Sequence, residues 1–238
     1  MNVLLNCDLG EGEPWETTAA LLETVDLANI ACGGHAGDED SMRRVVREAS
    51  ARGVRIGAHP GWPDRGNFGR SEARVTASDL TRLLKEQTGV LRRILKEEGG
   101  TLNHVKLHGA LYHLCNEQPG LAEACVDFMY ADLEGCALVC GAGGMLQAVG
   151  EARGVPLLRE IFADRGYGGE GQLIARGQAG DVLHDLQTVT DRLRAWKETG
   201  LLPLADGRAW LVEAETVCVH ADSPGSAALA VAVRRVLG

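Results

Sequence analysis

Short apolar segments alternate along this chain with longer segments that are apolar on one face only. Each short segment is bounded by glycine or polar residues and is rich in apolar residues. That pattern is typical of strands buried on both faces, as in a parallel sheet. The predicted strands span residues 3–5, 25–30, 54–58, 102–107, 137–139, 157–162 and 216–219.

The segments between the strands have the spacing of amphipathic helices. The clearest is predicted over residues 77–98, where leucine and isoleucine recur on one face. Thr76 is placed to cap its N-terminus, with Asp79 three residues later as a weaker form of the capping box. Gly99 and Gly100 end this helix.

Two further helices are indicated by their end signals. One is predicted over residues 39–52, and Asp38 is expected to cap it. The last helix is predicted to start at Ser223 as N-cap, with Pro224 in the first helical position. Strands that alternate with helices through short loops indicate a parallel sheet with right-handed crossovers.

The fold predicted from this alternation is α/β: one domain over residues 1–238, built as a single parallel β/α barrel. The barrel would have seven or eight strands, because residues 210–213 are either an eighth strand or part of a hairpin. A doubly wound open sheet is the alternative, and it would place a ligand at one switch point between strands. Polar groups after nearly every strand favour the barrel.

Composition and charge exclude several classes of function. The net charge is −9 and the pI is near 5.3. A nucleic-acid partner needs a basic face, and anionic lipid needs a basic patch, so neither partner is expected. Asp8 interrupts the apolar stretch at the N-terminus, and no apolar run is long enough for a membrane span. We therefore expect a cytoplasmic protein that does not contact a membrane.

The cysteines suggest neither a disulfide framework nor a zinc knuckle. There are seven, an odd number, with scattered spacing and no C-x-x-C pair. Those within apolar runs, such as Cys140 and Cys218, are expected to be inert buried thiols. Cys7 and Cys32 lie beside polar loops and are the candidates for a nucleophile, although a nucleophilic role is the less favoured interpretation.

Polar and ionisable side chains are concentrated where the predicted strands end. In a parallel barrel these strand ends meet at one rim, where β/α barrels build their active sites. The strongest signal is the alternation of His104, Lys106 and His108, which places three titratable groups on one inward face of a strand. The other candidates are Asn6, Asp8, Glu11, Asn29, His35, His59, Arg70, Asp164, Arg165, His220 and Asp222.

Several of these candidates have specific predicted roles. Asp8 is either a structural hydrogen-bonding group, a metal ligand or a general base. The glycine pair before His35 could form an anion-binding nest or oxyanion hole with its N–H groups. Arg70 could bind a substrate carboxylate, although a surface arginine is equally compatible with the sequence. Asp222 is expected to orient His220 or to share a metal ion with it.

These loops together resemble the LamB/YcsF family. The resemblance extends from the first residues to the last helix and rests on six ordered motifs, at residues 6–11, 29–38, 57–70, 105–112, 162–167 and 218–224. The ionisable residues of the motifs are kept, whereas neighbouring positions such as Gly34, Leu107 and His113 depart from the usual pattern.

The resemblance implies a barrel related to those of glycoside hydrolases and deacetylases. It also implies ATP-dependent cleavage of 5-oxo-L-proline to L-glutamate, as the A component of a 5-oxoprolinase complex with subunits B and C. Mg-ATP would then be the co-substrate, and a bound divalent metal ion remains open. The chain has no G-x-x-x-x-G-K-[ST] motif, so the ATP chemistry is expected in the partner subunits or at a shared surface.

On this interpretation Asp8, His59, Lys106 and His108 are catalytic. The residues expected to bind substrate are Asn6, Glu11, Asn29, His35, Arg70, Asp164, Arg165, His220 and Asp222. Two other classes of function stay open. One is an ATP-independent, metal-dependent amidase or deacetylase, with Asp8, His59 and His108 as ligands. The other is a non-catalytic subunit that binds the substrate.

Overall fold

The computed structural model describes residues 3–169, 171–222 and 225–238. Within these ranges the chain forms nine strands and eight helices. The strands are β1 (Leu4–Leu9), β2 (Leu27–Ala31), β3 (Arg55–His59), β4 (His104–Lys106), β5 (Ala137–Gly141), β6 (Leu157–Phe162), β7 (Leu201–Pro203), β8 (Ala209–Leu211) and β9 (Thr216–His220). The helices are α1 (Trp15–Leu22), α2 (Glu39–Ala51), α3 (Ala77–Glu97), α4 (Gly109–Glu117), α5 (Pro119–Asp132), α6 (Met145–Arg153), α7 (Leu186–Thr199) and α8 (Ser226–Leu237).

Seven of the described strands close into a parallel barrel in the order β1-β2-β3-β4-β5-β6-β9. Closure occurs at β9, which pairs with β1 on one side and with β6 on the other. Cys218 lies opposite Asn6 in one pairing and opposite Phe162 in the other. The predicted barrel is confirmed, and the alternative of a doubly wound open sheet is wrong because the sheet has no open edge in this ring.

The candidate eighth strand belongs to a hairpin outside the barrel. β7 and β8 pair antiparallel with each other, and Trp210 lies opposite Leu202. Both strands are short and follow α7, before the chain re-enters the barrel at β9. The hairpin interpretation of residues 210–213 is therefore confirmed.

Barrel strands that contain polar side chains near their carboxyl ends extend further than the apolar pattern predicted. β1 continues through Asn6 and Asp8 to Leu9, and β9 continues to His220. The strands continue past these polar side chains, because the side chains enter a barrel interior that is itself polar. Leu5 and Cys7, which alternate with them, belong to the apolar core that the strands form with the helices.

The capping signals of two helices are confirmed. Thr76 accepts a hydrogen bond from the backbone N–H of Asp79, whose side chain accepts one in return from the N–H of Thr76. Asp38 caps α2 in the same reciprocal way with Ser41. The predicted cap at Ser223 and Pro224 lies outside the described residues. In the described ranges, no helix combines the length and apolar character that a membrane crossing requires.

Candidate active site

A hydrogen-bonded layer of polar side chains fills the middle of the barrel. Asn29 donates to Asn6 Oδ1 at 2.9 Å, and Asn6 in turn donates to Thr216 Oγ1 at 2.9 Å. His104 Nε2 lies 2.7 Å from Asn29 Oδ1, and burial lowers the pKa of His104 to about 3. These groups are buried and neutral. They hold Asn6 and Asn29, both predicted to bind substrate, in fixed orientations beneath the charged groups.

Lys106 lies above this layer between two carboxylates. Its Nζ is 3.1 Å from Asp8 Oδ1 and 3.1 Å from Glu160 Oε2, and only 1% of the residue is exposed. Burial alone would lower the pKa of Lys106, but the two negative charges outweigh burial and raise it well above its ordinary value. Burial likewise opposes ionisation of Asp8, yet His59 and Lys106 hold the pKa of Asp8 well below its usual range. Lys106 is therefore held in its ammonium form by Asp8 and Glu160.

Beside Lys106 and Asp8, three histidines surround one carboxylate oxygen, Oε1 of Glu11. His35 Nε2 is 2.8 Å from this oxygen, His108 Nδ1 is 3.1 Å away and His59 Nε2 is 3.6 Å away. The rings of His35 and His108 stack with their centroids 3.6 Å apart. Asp8 Oδ2 approaches the same cluster, 3.4 Å from His59 Nε2. We call Glu11, His35, His59 and His108 the histidine cluster.

Two backbone carbonyls fix the outer nitrogens of this cluster. His59 Nδ1 lies 2.8 Å from the carbonyl oxygen of Lys106, and His108 Nε2 lies 2.9 Å from that of Phe68. Burial lowers the pKa of His35 to about 4 and also lowers the pKa of His108. His35 and His108 are therefore neutral at neutral pH, the form of imidazole that metal ions and protons bind.

His220 is oriented by Asp164 and not by Asp222. Its Nδ1 lies 2.9 Å from Asp164 Oδ1, and its ring stacks on Phe162 with an interplanar angle of 3°. Burial opposes protonation of His220, but the charge and hydrogen bond of Asp164 prevail and raise its pKa. The expectation that Asp222 orients His220 is wrong, because Asp222 Oδ2 pairs with Arg70 Nη2 at 3.0 Å. The strand register brings Asp164 to His220 from the next strand end.

A cavity of about 420 Å³ opens onto most of these groups. A small cyclic substrate fits a cavity of this size, which lies within the usual range of ligand pockets. Its walls include Asp8, His59, Arg70, Lys106, His108, Arg165 and His220. Arg165 lies at its edge and uses two donors on the backbone carbonyls of Asp181 and Ile174. The structure thus gives Arg165 a role in holding the loop around residues 174–181.

The predicted glycine nest does not form at this cavity. The N–H of Gly33 donates to the carbonyl of Ala36 at 2.9 Å, closing a turn. Gly34 packs against Gly61 and Gln87, where a Cβ would overlap both. Neither glycine is among the residues that line the cavity. The backbone N–H groups of these two glycines therefore do not face this cavity.

The described cysteines match the interpretation of inert, buried thiols better than that of a nucleophile. All seven cysteines are free. Burial raises the pKa of Cys7 well above its usual range and that of Cys32 to about 12, so neither thiol is activated. Cys218, expected to be an inert core thiol, lies in the site with its Sγ 2.9 Å from Lys106 Nζ. Burial raises the pKa of Cys218 as well.

Two residues of the interior were given no role in the site by the sequence: Glu160 and Cys218. Their signal in the sequence is alternation, because Glu160 shares a face of β6 with Phe162, and Cys218 shares a face of β9 with His220. A carboxylate in the middle of an apolar strand, as at Glu160, also needs a buried partner. The partner is Lys106.

Comparisons with known proteins agree on one family. The model of the LamB/YcsF family matches residues 3–238. A Bradyrhizobium diazoefficiens protein, named as the second A component of 5-oxoprolinase, is 40% identical over 237 residues, covering 98% of this chain and 93% of the relative. The crystal structure of the lactam utilization protein from Thermus thermophilus has a TM-score of 0.91 and 34% identity, covering 100% of this chain and 96% of that one.

A more distant solved structure shares the fold alone. It is that of a putative cellobiose-phosphate cleavage protein from Enterococcus faecalis, with a TM-score of 0.58 and 10% identity. It covers 99% of this chain and 89% of the other. With the family model matching nearly every residue and a relative 40% identical along the whole length, this chain belongs to the LamB/YcsF family.

Proposed function

We propose that this chain cleaves the lactam amide bond of 5-oxo-L-proline to give L-glutamate. The reaction would be coupled to hydrolysis of ATP and carried out together with partner subunits B and C. One observation carries the proposal: the buried ammonium group of Lys106, paired with Asp8, forms the wall of a cavity that His59, His108 and Arg70 also line. The name of the Bradyrhizobium diazoefficiens relative, a 5-oxoprolinase component, supports the choice of substrate.

The chemistry of a lactam explains the coupling to ATP. Amide resonance makes the ring carbonyl a poor electrophile. Transfer of the γ-phosphoryl group of ATP to the carbonyl oxygen would release ADP and create a better electrophile at carbon. One water then adds to that carbon and the carbon–nitrogen bond breaks, which frees the amine and leaves an acyl phosphate of glutamate. A second water hydrolyses the acyl phosphate, so that phosphate leaves and the new carboxylate of glutamate remains. The sequence carries no Walker-type phosphate loop, so we assign the nucleotide to the partner subunits or to a shared surface.

The base for water attack is supplied by His59 and Asp8. Because His59 Nδ1 donates to the carbonyl of Lys106, its Nε2 carries a lone pair that can accept a proton from water. Asp8 is ionised and lies 3.4 Å from that nitrogen, so it stabilises the imidazolium that forms. The Lys106 ammonium stabilises negative charge that develops on the substrate oxygen.

Two further side chains could act on the ring nitrogen and the ring carboxylate of the substrate. His220 has a raised pKa because of Asp164 and can protonate the ring nitrogen as it leaves. Arg70 lies on the same cavity, and Asp222 occupies its Nη2. A guanidinium group has five N–H donors, and those left over can bind the ring carboxylate.

The proposal is tested by mixing the three proteins with 5-oxoproline and ATP and following glutamate and ADP together. We expect both products in equal amounts, and only from the complete mixture. In this mixture Lys106→Gln and Asp8→Asn should abolish glutamate formation while the chain remains folded by circular dichroism. Lys85→Gln, which changes an exposed lysine of α3, is the matched control and should behave like the unmodified chain.

Each contrary outcome rejects a specific part of the proposal. Glutamate formed by this chain alone without ATP would support an ATP-independent amidase. Undiminished glutamate formation by both Lys106→Gln and Asp8→Asn would make the chain a non-catalytic binding protein within the complex. No glutamate from the complete mixture of folded proteins would reject the substrate.

A further inference from the structure

We propose that Glu11, His59 and His108 form a binding site for a divalent transition-metal ion of the zinc type. The mechanism above does not use a metal, so this site goes beyond it. With an ion on His59 Nε2, Asp8 alone would accept the proton from water in that mechanism. It also stands independently, because binding can be measured on this chain alone, without substrate or ATP.

The proton positions on two histidines follow from their backbone contacts. A carbonyl oxygen only accepts hydrogen bonds, so the ring nitrogen that faces it must carry the proton. His59 Nδ1 faces the carbonyl of Lys106 at 2.8 Å, and His108 Nε2 faces that of Phe68 at 2.9 Å. In the neutral rings the inner nitrogens, His59 Nε2 and His108 Nδ1, therefore carry lone pairs.

These two lone pairs point at the same small region. The two inner nitrogens lie 3.0 Å apart, and Glu11 Oε1 lies 3.1 Å from one and 3.6 Å from the other. Three electron-pair donors that converge in a buried place repel one another unless a cation lies between them. The surrounding charge favours a cation too, since the nearby carboxylates of Asp8 and Glu160 share a single ammonium group, that of Lys106.

The spacing of the donors fits coordination bonds. An ion bound at about 2.1 Å by nitrogen and oxygen holds adjacent ligand atoms about 3.0 to 3.4 Å apart in octahedral or tetrahedral geometry. The observed separations of 3.0, 3.1 and 3.6 Å bracket these values. Metal-binding histidines also typically donate their outer N–H to a carbonyl or carboxylate, as both rings do here.

The supporting residues hold these ligands in place. His35 Nε2 contacts the same Glu11 oxygen at 2.8 Å, and its ring stacks on His108, so His35 is a positioning residue for both. A Cβ at Gly61 or Gly69 would overlap His35. His59 is the last residue of β3, and Glu11 and His108 each lie two residues past the ends of β1 and β4, so the barrel itself sets the separation of the ligands.

The donor types select the class of ion. Imidazole nitrogens favour Zn²⁺, Co²⁺, Ni²⁺ and related ions, whereas Mg²⁺ and Ca²⁺ prefer sites made of oxygen ligands. Two imidazoles and one carboxylate leave further positions on the ion open, as in catalytic zinc sites. The bound ion would be expected to carry water in those positions.

The test is a titration of the untagged, metal-free chain with Co²⁺, read by its visible absorption bands and followed by displacement with Zn²⁺. We expect one ion per chain with the spectrum of a nitrogen and oxygen site. Glu11→Gln and His59→Gln should each weaken Co²⁺ binding at least tenfold while circular dichroism shows a folded chain. His113→Gln, a change of a histidine outside the cluster, is the matched control and should bind like the unmodified chain.

Two results would overturn the site. One is a folded, unmodified chain that gives no cobalt bands and retains no ion after dialysis, which would mean that a shared proton alone occupies the cluster. The other is unchanged Co²⁺ affinity in both Glu11→Gln and His59→Gln, which would place the ion elsewhere, such as at Asp8, Cys218 and His220. Neither result bears on cleavage of 5-oxoproline, so failure here is distinguishable from failure of the proposed function.

Discussion

The buried pair of His220 and Asp164 shows how one neighbour determines the chemistry of a single residue. Without Asp164, burial would lower the pKa of His220. With the carboxylate 2.9 Å away, the protonated form persists to higher pH. As the pH rises through this raised pKa, the ring loses its proton and can no longer act as an acid.

Asp164→Asn should therefore move the alkaline limb of the pH profile. The amide keeps the shape of the side chain but removes the charge that raises the pKa of His220. In the complete three-protein mixture we expect kcat/KM at neutral pH to fall by roughly 10²-fold and the alkaline limb to shift to lower pH. Asp222→Asn, which changes the partner of Arg70, should leave that limb in place. An unchanged limb in Asp164→Asn would show that His220 is not the acid.

At the scale of the elements, the barrel strands need small residues wherever a large polar side chain crosses the interior. Gly57 on β3 is opposite His104 in the register with β4. A Cβ at Gly57 would overlap the His104 ring, which itself is held by Asn29. The glycine is thus required by packing, since its backbone conformation is ordinary for a strand.

We expect alanine to have opposite effects at two glycines. Gly57→Ala should lower the free energy of unfolding by about 1 to 3 kcal/mol, because the ring must move against a packed interior. Gly89→Ala, in the middle of α3 where a Cβ meets nothing within 4 Å, should raise it by about 0.5 to 1 kcal/mol. Urea unfolding of both variants measures the difference. Equal effects at the two positions would contradict the packing role of Gly57.

At the scale of the whole molecule, the polar interior makes stability depend on acidity. His35 and His104 have folded-state pKa values near 4 and 3, lowered by burial from 6.5. The unfolded chain then binds more protons than the folded one once the pH falls below about 6.5, so stability is lost as the pH falls. Asp8 and Glu11 have lowered pKa values and add to this loss at still lower pH. His220 opposes this loss of stability, because its raised pKa favours the folded state at low pH.

The free energy of unfolding should therefore fall steadily from pH 6.5 to about pH 4. Each neutral buried histidine contributes a slope of up to about 1.4 kcal/mol per pH unit. Urea unfolding at a series of pH values measures the slope. His104→Gln removes one of the titrating rings and should make the slope shallower. A stability that is flat over this range would mean that the buried rings are already charged in the folded state.

The sequence by itself determined the barrel, because the barrel depends on repeated local signals. Apolar runs, capping residues such as Thr76 and Asp38, and glycine stops recur along the chain, and each can be interpreted without knowing its neighbours in space. Local signals also indicated that Lys106 and His108 belong to the site, since an alternating charged strand has no simple structural explanation. The local signals did not show where β1 and β9 end. In the sequence, a polar residue that faces solvent cannot be distinguished from one that faces a polar interior.

Only the tertiary structure decided which side chains meet. Asp164 and His220, Lys106 and Glu160, and the donors around Glu11 come from strands far apart in the chain, and the closed register brings them together. The prediction that Asp222 orients His220 was wrong for this reason, since two residues that are two positions apart at a strand end need not face each other. The closed ring also determined the direction of each pKa shift, because burial and charge partners exist only once the barrel has formed.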